Sequence, residues 1–148
     1  MTTHKLIGTI IGAVALSLAA AAPTHAAPGG PTGTIDMLTT DVSDLGTFKS
    51  AAPSYGSSVQ FSTSVSGRLA SQSTVYVTVV CIKDSVVVYQ NSGDPSSTFV
   101  LEDQIGDNLN WTGSDAECQS GLIYRAQKGK SYEYTLLDTV SFHVDAQL

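Results

Sequence analysis

The chain has 148 residues, with seven lysines and arginines against 13 aspartates and glutamates and a formal net charge of −6. That balance argues against nucleic acid and against anionic membrane surfaces as partners. Two cysteines and one histidine beyond the first 25 residues cannot fill a tetrahedral zinc site with its usual ligands.

The N-terminus opens with Met1-Thr2-Thr3-His4-Lys5, continues as an apolar run from Leu6 to Ala22, and closes on Pro23-Thr24-His25-Ala26-Ala27. A short basic start, an Ala-rich apolar stretch and a small-residue exit predict a secretory signal peptide over 1–26, cleaved after Ala26. A membrane anchor is the alternative, because the run nearly reaches spanning length; its small residues favour cleavage. Removing 26 residues leaves 122, enough for one domain with its own core. Loss of Lys5 leaves six bases against 13 acids, so the mature charge is −7, with no membrane association expected after cleavage.

Residues 27–52 are rich in Gly, Pro, Ser, Thr and Asp and read as a flexible N-terminal spacer. Two short edge strands, one around Ile35, Met37 and Leu38 and one from Leu45 to Phe48, are the other reading. The domain is expected over 53–148. Val59, Phe61, Thr63 and Val65 alternate with Gln60, Ser62, Ser64 and Ser66, which predicts a half-buried strand with one wet face. From Val75 to Ile82 both parities are largely apolar, so this strand should lie centrally, covered on both sides or nearly so. Lys83-Asp84-Ser85 predicts a hairpin turn into Val86 to Gln90. Asn91 to Pro95 is a loop, and Thr98 to Glu102 resumes a strand.

Asp103 to Glu117 is polar and long for a hairpin, so it should cross between sheets, with Trp111 inside it. Cys118 to Arg125 alternates again, and Gln127 to Lys130 is an exposed turn. In the last strand Tyr132, Tyr134 and Leu136 share a parity that Val140, Phe142 and Val144 continue, with a bulge or bend expected at Asp138-Thr139. Six or seven short strands with no helical periodicity predict an all-β fold, an antiparallel immunoglobulin-like β-sandwich of about seven strands.

Export puts Cys81 and Cys118 in an oxidising compartment, and a single Cys81–Cys118 disulfide follows. If their strands are antiparallel neighbours, the end of one meets the start of the other. The bridge would then lie within a sheet, unlike the long-spaced bridge of antibody domains. Closing that loop stabilises the fold by about 4 kcal/mol in the chain-entropy model.

Candidate chemistry is sparse. His143, flanked by Phe142 and Val144, is the mature chain's one histidine, and no Gly-x-Ser-x-Gly accompanies it. It reads as a strand residue on a wet face. Glu102, Asp103, Asp107, Asp115 and Glu117 gather in the crossing segment, where a calcium site or a glycosidase pair is conceivable. No Asp-x-Asp-x-Asp-Gly ladder supports calcium, and a solvated acidic loop is the plainer reading, with no metal or cofactor expected. Trp111 either plugs the sandwich end beside the disulfide or stands exposed as a binding anchor. Asn110-Trp111-Thr112 matches a glycosylation sequon, taken as accidental. Arg125, Lys128 and Lys130 form a small basic tip, either a solubilising turn or a docking contact. The six tyrosines, Tyr55, Tyr76, Tyr89, Tyr124, Tyr132 and Tyr134, could make an adhesive sheet face, although strand propensity explains them equally well.

Pro-Ser-Tyr-Gly-x-x-Val-x-Phe at 53–61, Val-Tyr-Val-Thr-Val-Val-Cys at 75–81, Val-Val-Tyr at 87–89, Trp-x-Gly at 111–113, Ala-x-Cys at 116–118 and Phe-x-Val at 142–144 form an ordered set. Together, over roughly Pro53 to Ala146, they resemble the small secreted Ig-like domains of actinobacteria and their phages. The resemblance implies the sandwich, the single disulfide and export, and brings no catalytic residue. The expected function is a secreted, non-enzymatic binding or adhesion module acting on an extracellular protein or cell-envelope component. A secreted enzyme inhibitor and a structural surface protein are the alternatives.

Overall fold

The computed structural model describes residues 29–38, 52–104 and 109–147, and these form two packed antiparallel sheets with no helix. The leader expected over 1–26, the strand expected at Leu45 to Phe48 and Asp107 lie outside the described residues. Seven strands occur in order: β1 Thr32–Leu38, β2 Ser58–Ser66, β3 Ser73–Lys83, β4 Val86–Gly93, β5 Phe99–Val100, β6 Ala116–Lys128 and β7 Ser131–Val144. One sheet has the order β1-β2-β5 and the other β4-β3-β6-β7. This is the expected immunoglobulin-like sandwich, and the segment between β5 and β6 does pass from one sheet to the other.

The first strand falls inside the stretch read as a spacer. β1 pairs with β2 along its whole length, from Thr32↔Ser66 to Leu38↔Gln60, and Ile35 is buried. The few apolar residues in a Gly- and Thr-rich context suffice because an outer strand needs to bury only one face. Gly33 lets β1 come close to the other sheet: a Cβ there would stand 2.8 Å from Leu122 Cδ2 and 3.0 Å from the Ser64 carbonyl oxygen.

Alternation sets the core. Val59 and Phe61 of β2, Val77, Val79 and Cys81 of β3, and the even-numbered residues Ala116, Cys118, Leu122 and Tyr124 of β6 all point between the sheets. Phe61 packs near Phe99 and Phe142, with ring centroids 5.9 and 6.1 Å apart. Ser120, the one fully buried polar side chain of this face, donates to the Thr78 carbonyl oxygen at 2.9 Å.

β3 is central in its sheet, flanked by β4 and β6. Its second apolar face, Tyr76, Thr78, Val80 and Ile82, is covered by no other layer of the described residues and is only half-buried. The turn at Asp84-Ser85 is a two-residue hairpin with φ of 50° and 68° at its central residues, the conformation whose twist suits a tight hairpin. A register shift opposite Cys81/Ile82 leaves Val88 as an extra residue on β4.

A second shift, opposite Leu122/Ile123, decides the outer surface. Ile123 pairs with Leu136 and Leu122 with Asp138, so Leu137 is an extra residue in β7. The bulge thus lies just before the Asp138-Thr139 bend expected from sequence. One inserted residue exchanges faces. Tyr132, Tyr134 and Leu136 therefore point outward, while Phe142 and Val144, of the same parity, point into the core.

Candidate functional site

The β6–β7 hairpin ends in a two-residue turn at Gly129-Lys130, and Gly129 supplies the positive φ of 62°. Register places Arg125 beside Tyr134, Ile123 beside Leu136 and Gln127 beside Tyr132. β3 adds Tyr76 beside Ile123 and Thr74 beside Arg125. The outer face at this end thus gathers Tyr76, Ile123, Arg125, Tyr132, Tyr134 and Leu136. Exposure is 53% at Tyr132, 59% at Tyr134 and 46% at Leu136, high for large apolar side chains on a sheet. The Arg125 guanidinium lies 4.9 Å from the Tyr132 ring centroid, a cation–π arrangement that holds the ring in place. Burial, followed by the neighbouring Tyr134, pushes the Tyr76 phenol above its ordinary pKa, while Arg125 works in the other direction. The Tyr76 phenol is therefore a neutral donor and acceptor at neutral pH.

The basic tip is divided by its surroundings. Arg125 belongs to the tyrosine face and also reaches Thr74 Oγ1 at 3.5 Å. Lys128 forms an ion pair with Glu133 across the hairpin, and Lys130 stands exposed in the turn.

Trp111 is not an exposed anchor, so the packing reading replaces it among the binding candidates. Its side chain is 1% exposed and lies edge-on to Tyr55 and Tyr89, at centroid distances of 5.1 and 5.9 Å. Tyr89 is itself the register partner of Cys81. Trp111 Nε1 donates to the Ser114 carbonyl oxygen at 2.8 Å, and its backbone N–H donates to Asp103 Oδ1 at 3.3 Å. Tyr55 Oη donates to the Trp111 carbonyl oxygen and accepts from the Asp103 N–H, at 3.0 and 3.1 Å. An indole with its N–H satisfied and both faces covered closes one end of the sandwich. Burial likewise raises the Tyr89 pKa, with the Asn91 hydrogen bond opposing it.

Cys81 and Cys118 are direct partners in the β3–β6 register and form the disulfide, with Cα atoms 4.0 Å apart. The bridge lies within one sheet, as neighbouring antiparallel strands require.

The described acidic residues of the crossing segment are engaged separately or exposed. Asp115 pairs with Lys83 at 2.6 Å; the hydrogen bond from Lys83 holds its carboxyl below the usual range, and the same bond raises Lys83. Glu117 meets its register partner His143 at 2.7 Å. His143 lies on the outer face of β7, 41% exposed at its side chain, as a wet-face strand residue would. Glu102 and Asp103 are exposed, as is Asn110 of the sequon. Among the described residues, no group of three or more His, Cys, Asp or Glu side chains could hold a metal ion.

The exposed tyrosine face had a sequence signal. In a two-layer protein a central strand with apolar residues on both faces must leave one of them outside, and Val75 to Ile82 has that pattern. No protein-family model, curated protein or solved structure matches the chain at a significant level.

Proposed function

We propose that the protein is secreted and acts without catalysis, as a binding or adhesion module. Its outer tyrosine face would engage an extracellular protein or a cell-envelope component. The observation that supports this reading is the cluster of Tyr132, Tyr134 and Leu136, each about half exposed, beside Tyr76, Ile123 and Arg125. Tyrosines provide large contact area at low entropic cost, and tyrosine and arginine are residue types enriched where binding energy concentrates. The disulfide suits an oxidising, extracellular location. An inhibitor acting through a rigid loop anchor loses its best residue, because Trp111 is buried.

The test is a capture experiment from culture fluid and envelope extract, using the oxidised chain from Ala27 onward. A Tyr132→Ser/Tyr134→Ser variant and a Trp111→Phe variant run beside it. The reading expects a specific partner that is lost with the tyrosine pair and retained with Trp111→Phe. Equal capture by the parent and the tyrosine variant would move the binding surface elsewhere on the molecule.

A further inference from the structure

A two-sheet sandwich has four edges, and three of them here lack the combination of open backbone and exposed apolar side chains. β5 is two residues long, and where β2 runs on past it, Gln60 to Ser66 have no strand of the described residues on that side but carry only Gln60, Ser62, Ser64 and Ser66 on their outer face. β4 carries the Val88 bulge. β1 is closed by a side chain: the Ile35 N–H donates to Asp138 Oδ2 at 2.9 Å. Short strands, bulges and inward-pointing charges are the usual means of preventing a sheet edge from recruiting another strand. The fourth edge is β7. Its second half runs beside β1, where Leu137 and Asp138 meet Gly33 and Ile35. Its first half, Ser131 to Leu136, has β6 on one side and no strand of the described residues on the other.

The hairpin register says which backbone groups point out of that edge. In a two-residue hairpin the closing pair, here Lys128↔Ser131, is hydrogen-bonded, and pairs then alternate along an antiparallel ladder. Glu133 and Thr135 therefore bond to β6. Tyr132, Tyr134 and Leu136 turn their N–H and C=O groups away from β6, toward the open edge. The residues with the exposed apolar side chains are also those with unused backbone donors and acceptors.

We propose that this half-strand pairs antiparallel with the same half-strand of a second copy of the chain, with Tyr134 opposite the partner's Tyr134 on a two-fold axis. In this register Tyr132 meets the partner's Leu136, so apolar side chains pair on the outer face. Glu133 meets the partner's Thr135 on the other face, so no like charges oppose each other. Moving the axis to Glu133 would set two carboxylates against each other, and directly opposed like charges are destabilising. The outward backbone groups of Tyr132, Tyr134 and Leu136 then find partners in both copies. The two four-stranded sheets become one continuous eight-stranded sheet, and the two tyrosine faces adjoin.

Half-exposed side chains of this size contribute on the order of 100 Å² each, so the six of them bury roughly 600 Å² in total. Stable complexes bury at least about 1,200 Å². The pairing is therefore reversible and concentration-dependent.

Sedimentation of the purified, disulfide-bonded mature chain over a micromolar to millimolar series tests this without any outside ligand, and so independently of whether the tyrosine face has another partner. Amide hydrogen exchange on the same samples reads the edge directly. A monomer–dimer equilibrium is expected. The amides of Tyr132, Tyr134 and Leu136 should gain at least tenfold protection as concentration rises, while those of Glu133 and Thr135 are protected throughout. Tyr134→Lys places two ammonium groups on the axis, and Tyr134→Pro removes an N–H that β6 does not use; each should leave a folded monomer. A monomer at every concentration would overturn the proposal. So would a dimer that survives Tyr134→Lys, or growth beyond the dimer, which a closed two-fold does not permit.

Discussion

The Ile35 backbone N–H and the Asp138 carboxylate, 103 residues apart in sequence, meet at 2.9 Å and join the edge of one sheet to the edge of the other. The donor is the free side of an outer strand, and the acceptor follows the bulge that turns β7 inward. Removing the carboxylate leaves a part-buried N–H without its partner. Asp138→Ala should cost about 1–3 kcal/mol in denaturant unfolding, and Asp138→Asn, which keeps an acceptor, clearly less. Loss of the bond should also speed amide exchange at Ile35 ahead of the core strands.

Trp111 is the sole tryptophan and is therefore a clean reporter of its own environment. Native emission should be blue-shifted and should move to the red in one step on unfolding. Trp111→Ala should destabilise the domain by about 3–5 kcal/mol, the range for deleting a buried large aromatic. Trp111→Phe keeps the edge-on contact with Tyr55 but leaves the Ser114 carbonyl without its donor, so a smaller loss is expected.

Reducing the Cys81–Cys118 bridge releases a loop with a sequence separation of 37. The chain-entropy model gives a loss of about 4 kcal/mol, which urea unfolding of the Cys81→Ala/Cys118→Ala variant would measure. Both positions face the core, so repacking around Phe142, the register partner of Cys118, adds to that loss in the alanine variant.

The Lys83–Asp115 pair gives a pH dependence of definite sign. The Asp115 pKa is lowered in the folded state, so its contribution is present above the ordinary value of 3.8 and is lost as pH falls through the folded one. The Lys83 pKa is raised, so its contribution is present below 10.5 and is lost as pH climbs through the folded value. Lys83→Met should move the Asp115 titration to higher pH in a carboxylate NMR experiment. An unchanged titration would mean that the ion pair does not persist in solution.

Gly33→Ala tests the close approach of the two sheets. The added methyl meets Leu122 and Leu137 side-chain ends and a backbone oxygen, so Leu122 must shift. A loss of roughly 1–3 kcal/mol is expected, as for other overpacked sites, with the largest chemical-shift changes at Leu122 and Leu137.

The fold was legible wherever alternation was strong. Val59 to Val65, Val75 to Ile82 and Cys118 to Arg125 read directly as β2, β3 and β6, and their arrangement foretold a disulfide between strand neighbours. β1 was harder, because Thr32 to Leu38 buries little beyond Ile35 and owes its stability to pairing with β2. The β3 side of the tyrosine face was signalled by the two apolar faces of Val75 to Ile82, but the β7 side was hidden for a different reason. Val140, Phe142 and Val144 have the parity of Tyr132, Tyr134 and Leu136, and only the position of one extra residue sends the second trio inward and the first outward. Tyr76, Tyr132 and Tyr134 differ from Tyr55, Tyr89 and Tyr124 in surroundings, not in residue type, so composition could not sort them. Trp111 was ambiguous until the ring contacts with Tyr55 and Tyr89 were known.

The bulge at Leu137 divides β7 into two independently adjustable segments. Changes at Tyr132, Tyr134 and Leu136 alter what the molecule shows to its surroundings without touching the interior, while changes at Phe142 and Val144 do the reverse. Deleting Leu137 would couple them: restoring simple alternation would force either the tyrosines inward or the phenylalanine outward. A single residue with little exposed surface of its own thereby lets the displayed surface diversify while the interior stays constant.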